Sequence, residues 1–71
     1  MNNDVIALAI RHIRATGPVS LADVADYLLD QSSKVSNIEQ ALWMAARAVN
    51  HGLATGSVSK DVVDGDVVFS A

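Results

Sequence analysis

The sequence predicts an α+β protein, mostly helical, in which three helices lead into a C-terminal β-hairpin. Three observations carry this expectation. Apolar residues recur at three- and four-residue spacing as far as Asn50, and β-branched residues take over after Leu53. Polar residues able to cap a helix stand before each helical stretch. Asp64-Gly65, the dipeptide of a tight hairpin turn, divides the valine-rich end. With 71 residues there is room for one domain, spanning 1–71, and no second.

The first helix is expected at about 4–15 (DVIALAIRHIRA), with Asn2 or Asn3 as its cap and Asp4 near the positive end of its dipole. Val5, Ile6, Ala9, Ile10 and Ile13 fall on one broad face, and Ala7, Arg11 and Arg14 lie opposite. Gly17 is read as a left-handed cap, and Pro18 cannot continue the helix. Val19 is then a short extended residue.

Ser20-Leu21-Ala22-Asp23 has the form of a capping box with an acid at its fourth position, and it opens a second helix at about 21–30. Leu21, Val24, Ala25, Leu28 and Leu29 form its apolar face; Asp23, Asp26 and Asp30 line the other. Residues 31–35 break the pattern. Ser36-Asn37-Ile38-Glu39 reads as a second capping box, opening a third helix over about 37–50, with Gly52 as its stop. Ile38, Ala41, Leu42, Ala45 and Val49 point within about 50° of a common direction. Gln40, Trp43, Met44, Arg47 and His51 cluster on the far side. A Trp and a Met there imply either that another element covers them or that this face meets a partner. Strands are expected near 57–63 and 66–70, with Val63 opposite Asp66 and Val62 opposite Val67.

Composition excludes several classes. There is no Cys, so neither a disulfide framework nor a thiolate metal site is expected. The longest apolar runs, Val5–Ile10 and Ala41–Ala46, are far below the roughly 18 residues that cross a bilayer. With no basic leader segment either, the expectation is a soluble cytoplasmic protein with no membrane partner. His12 and His51 lack further ligands at recognisable spacing. Asp61, Asp64 and Asp66 imitate a calcium loop but lack its closing Glu. The serines have no base beside them, and no glycine-rich phosphate loop occurs. The expectation is therefore no enzyme, no metal, no cofactor and no small-molecule substrate. Eleven Ala and ten Val against three aromatics make a small core, to which a second copy of the chain would add buried surface.

Gly17-Pro18-Val19-Ser20-Leu21-Ala22-Asp23-Val24-Ala25 looks like a small strand leading into a capped helix. Val49-Asn50-His51-Gly52-Leu53-Ala54 looks like the end of a third helix leading into a wing, and Asp64-Gly65 like the wing's turn. In these segments, over nearly its whole length, the chain resembles the winged helix-turn-helix domain family. The resemblance implies a small DNA-binding protein, a regulator of transcription or of another DNA transaction. Its third helix would read the major groove of double-stranded DNA and its hairpin would touch a flanking groove. Carried over by position, Asn37, Gln40 and Arg47 would meet bases, Lys34 and Lys60 phosphates, and His51 would offer a neutral donor.

Charge bears on this reading. Net charge is −3, with acids on the second helix and on the hairpin. Three phosphate-facing cations give a salt slope of only about −2.7. The alternative is a winged-helix protein–protein interaction module or homodimer with little or no DNA binding. It would use Trp43, Met44 and Arg47, with Ile6 and Ile10 of the first helix as further interface candidates.

Overall fold

In the computed structural model, which describes residues 3–71, the elements run α1 (Asn3–Thr16), β1 (Val19–Ser20), α2 (Leu21–Gln31), α3 (Ile38–Thr55), β2 (Ser59–Val63) and β3 (Asp66–Ser70). The protein is α+β and mostly helical, as expected, with three helices and a three-stranded antiparallel sheet of order β1-β3-β2.

Helix α1 buries Val5, Ala9 and Ile13 and keeps Ile6, Leu8 and Ile10 half-buried at its flanks. Asn3 is already helical, so it is not the cap; Asn2 lies outside the described residues. Gly17 is not left-handed, contrary to expectation. Its role is close approach: a Cβ there would lie 2.7 Å from the Ile13 carbonyl oxygen and 2.9 Å from both the Phe69 oxygen and the Ser70 Cα. Only a residue without a side chain lets β3 pass so near the end of α1.

The extended residue at Val19 becomes a two-residue strand, with Val19 opposite Phe69 and Ser20 opposite Val68. Ser20 then caps α2 through the complete box: its Oγ accepts from the Asp23 amide at 3.1 Å, and Asp23 Oδ2 accepts from the Ser20 amide at 3.2 Å. Val24, Ala25 and Leu28 are buried. Leu29, expected beside them, is exposed, because one residue turns the helix by about 100° and carries it past the edge of this narrow face.

Helix α3 differs most from expectation. Its cap is Asn37, whose Oδ1 accepts from the Gln40 amide at 2.9 Å; Ser36 contributes its backbone amide, which donates to Gln40 Oε1 at 2.9 Å. The cap therefore lies one residue later than Ser36, and it is not a full capping box, because Gln40 reaches back to the Ser36 amide and not to that of Asn37. The helix also runs through Asn50 and Gly52 to Thr55, and Gly56, at φ 81°, is the left-handed cap. Gly52 is buried because Val58 lies against it: a Cβ would come within 2.5 Å of Val58 Cγ2. The inward stripe is Ala41, Met44, Ala45, Ala48, Val49 and Gly52. Small side chains at 41, 45, 48 and 52 let α3 pack close to its neighbours, and that rotates Met44 inward and Ile38 and Leu42 outward.

The hairpin has the expected register, Val62 opposite Val67 and Val63 opposite Asp66. Asp64 and Gly65 both take positive φ, 53° and 84°, as a two-residue turn of this hand requires. Phe69 and Val58 bring the sheet into the core, and Val35 anchors the α2–α3 connection. No polar side chain among the described residues is buried, and no described helix is long and apolar enough to cross a membrane.

Candidate functional site

The phase of α3 determines what it shows to solvent. Ile38 is 44% exposed, Leu42 37% and Trp43 55%, with half-buried Ala46 one turn beyond Leu42. Arg47 stands one turn after Trp43, and its guanidinium carbon is 4.9 Å from the ring centroid. That distance is within cation–π range, worth about 0.5–1 kcal/mol at an exposed site. The stacking orients the indole while leaving the guanidinium donors free to meet an acceptor. The result is an apolar helical face bordered by one cation and, at Glu39, one acid.

Met44 does not belong to this face. At 3% exposure it is a core side chain, since it lies on the same side of the helix as Ala41, Ala45 and Ala48. Ile38 and Leu42 take its place, although the sequence placed both inward. An unbroken apolar run from 41 to 46 surrounds the helix and carries no phase of its own.

The residues expected to read DNA are committed elsewhere or apart from one another. Asn37 spends its carbonyl oxygen on the Gln40 amide. Gln40 uses both ends of its amide on local backbone: Oε1 accepts from Ser36, and Nε2 donates to the Lys34 carbonyl at 3.4 Å. Two-pronged recognition of adenine needs both amide atoms. Lys34 turns to α1, where its Nζ donates to Asp4 Oδ2 at 2.9 Å and holds the Asp4 carboxyl below the usual carboxylate range, by that hydrogen bond first and by its charge second. Lys34 thus shares a shallow groove with Asp4 and Arg11. Lys60 is exposed on β2, between Ser59 and Asp61. Of the five, Arg47 and Lys60 form no hydrogen bond or ion pair with another described residue.

A second surface forms where α1 meets the end of α3. Ile6, Ala7 and Ile10 line a groove of about 630 Å³ together with Arg11, Arg14 and His51. Arg14 Nη1 also donates to the Ser57 carbonyl at 2.9 Å, tying α1 to the segment before β2. His51 reaches this groove because α3 continues past Asn50. His12 does not: it stacks on Tyr27 of α2 with ring centroids 3.7 Å apart. Among the described residues no cluster of His, Cys, Asp or Glu is arranged to hold a metal ion.

No family model matches the chain, and neither a curated protein nor a solved structure matches it. The chemistry of these surfaces is therefore the guide to function.

Proposed function

We propose that the chain is a winged-helix module whose third helix docks a protein partner. Support for the winged helix-turn-helix arrangement comes from the order α1-β1-α2-α3-β2-β3 with β3 central in the sheet. In that arrangement the outward side of α3 is the recognition surface. The observation that carries the protein reading is the chemistry of this side, Ile38, Leu42 and Trp43 exposed together with Arg47 stacked on the indole. Trp and Arg are enriched among the residues that dominate protein interfaces, and an apolar patch of this kind needs a partner that desolvates it. The partner that fits is a polypeptide segment with apolar side chains for Ile38, Leu42 and Trp43 and a carboxylate for Arg47.

The element order also supports a second reading, a small cytoplasmic regulator that binds duplex DNA. It draws on Arg47 and Lys60, but Asn37 and Gln40 are engaged in capping, and the hairpin that carries Lys60 also carries three acids, Asp61, Asp64 and Asp66. Phosphate contacts dominate DNA affinity, and two free cations supply few of them.

One pair of measurements separates the two readings. The wild type and the Trp43→Ala and Arg47→Ala variants are titrated against a fluorescent mixed-sequence duplex at about 50 mM salt. The wild type and Trp43→Ala are also panned against a displayed random-peptide library. The expected result is no saturable duplex binding, and enrichment of acidic–apolar peptides that bind the wild type but not Trp43→Ala, with both proteins equally folded by circular dichroism. Duplex binding weakened by Arg47→Ala, or no Trp43-dependent peptide, would overturn the docking reading.

A further inference from the structure

The groove along α1 has a floor of half-buried Ile6 and Ile10 and a rim of exposed Arg11, Arg14 and His51. Its chemical complement lies on the same chain. Strand register puts Asp61 opposite Val68 and Val63 opposite Asp66, whereas the buried Phe69 lies opposite Lys60. Directly opposed residues share a sheet face and neighbours alternate, so Asp61, Val63, Asp66 and Val68 all lie on the face turned away from the core. Asp61, Val63 and Asp66 are exposed and Val68 is half-buried. This outer hairpin face carries two carboxylates and two valines; the groove offers two guanidinium groups and two isoleucines.

We propose that the chain forms a reciprocal dimer in which the outer hairpin face of each copy seats in the α1 groove of the other. Val63 and Val68 cover Ile6 and Ile10, and Asp61 and Asp66 meet Arg11 and Arg14. Charges are unevenly shared along the chain: α1 holds Arg11 and Arg14 against Asp4, while α2 and the hairpin hold six of the eight acids against Lys60. Among the described residues the ion pair formed within the chain is Lys34–Asp4, which leaves Arg11, Asp61 and Asp66 without an ionic partner until a second copy arrives. Each copy offers both halves of the contact, so two equivalent contacts close a two-fold dimer. The small core gives a further reason. A domain below about 70–80 residues gains only a few kcal/mol from its own core, and mutual cover of Ile6 and Ile10 adds to it. The contact residues on α1 and the hairpin do not include Ile38, Leu42, Trp43 or Arg47, so the charge exchange below tests this proposal separately from the docking reading.

A charge exchange between copies tests it. Wild type is expected to sediment as a dimer at low salt and to dissociate at about 1 M salt, where the Debye length falls to about 3 Å. Arg11→Glu and Asp66→Lys, both at exposed positions, are each expected to raise the dimer dissociation constant at least about tenfold with unchanged circular dichroism. Mixed in equal amounts, the two variants should dimerise again. In the mixed pair one contact joins Glu at position 11 to Lys at position 66, and the other keeps the original Arg–Asp pair. A wild type that stays monomeric at high concentration and low salt overturns the proposal. So does a dimer that persists in both single variants, or a mixture that fails to reassociate.

Discussion

Val58 packs directly against the backbone of Gly52, leaving no room for a side chain there. A glycine inside a helix costs about 1 kcal/mol relative to alanine, so Gly52→Ala should stabilise α3 taken alone. Here the new Cβ would meet Val58 at 2.5 Å to Cγ2 and 2.8 Å to Cβ, and a β-branched side chain has little freedom to turn away. Overpacking of this kind costs about 1–3 kcal/mol and outweighs the propensity gain. The expected outcome in urea denaturation is a net loss of roughly 1–2 kcal/mol for Gly52→Ala, recovered in part when Val58→Ala is added. A stabilised Gly52→Ala variant would show that Val58 yields. The Asp4–Lys34 pair is at the opposite extreme. Its carboxyl is depressed, so its contribution is present above the usual carboxylate range and is lost as pH falls through the lowered value. With Asp4 80% exposed, solvent keeps that contribution small.

The caps of α2 and α3 give separable predictions. Ser20→Ala removes an acceptor from the Asp23 amide, and Asn37→Ala removes one from the Gln40 amide; each should lower stability by about 1 kcal/mol. Ser36→Ala should cost much less, because Ser36 enters the α3 cap through its backbone amide alone. Equal losses at 36 and 37 in thermal or urea melts would return the cap to the earlier position. These elements also divide what the sequence makes legible from what it hides. The Ser20–Asp23 box and the Asp64-Gly65 turn are local patterns, so their geometry follows from a few adjacent residues. The phase of α3 is not local: residues 41–46 are all apolar, and side-chain size at the closest helix contacts decides which of them face inward. That is why Met44 and Leu42 exchange places and why the exposed apolar face of α3 contains Ile38. The packing roles of Gly17 and Gly52 are hidden for a related reason. The first helix does end at Thr16, just before Gly17, but Gly17 is not left-handed and Gly52 lies inside α3; each is needed where another segment, β3 or Val58, crosses close by.

Among the described residues fourteen apolar ones are buried, five Ala and five Val among them, so each larger core side chain carries a large share of the stability. Leu28 is fully buried, and truncation of such a residue costs about 2–5 kcal/mol. That is comparable to all the stability a domain of this size gains from its core. Leu28→Ala is therefore expected to leave the isolated chain largely unfolded at 25 °C, as read by loss of cooperative melting; a sharp transition near the wild-type temperature would contradict this estimate. The central place of β3 has a consequence in time as well as in space. Hairpins closed by two-residue turns form in about 1–10 μs, and helices assemble from contacts between near neighbours. The seam between Val19–Ser20 and Val68–Phe69 instead joins segments far apart in sequence and has only two residue pairs to hold it. It should close after the hairpin and the helices have formed, and open before either melts. Amide exchange should therefore find the β1–β3 bonds released first, while the β2–β3 bonds and the inner turns of α1, α2 and α3 stay protected. In kinetic terms the hairpin is a latch, the last part of the molecule to be fastened and the first to be lifted.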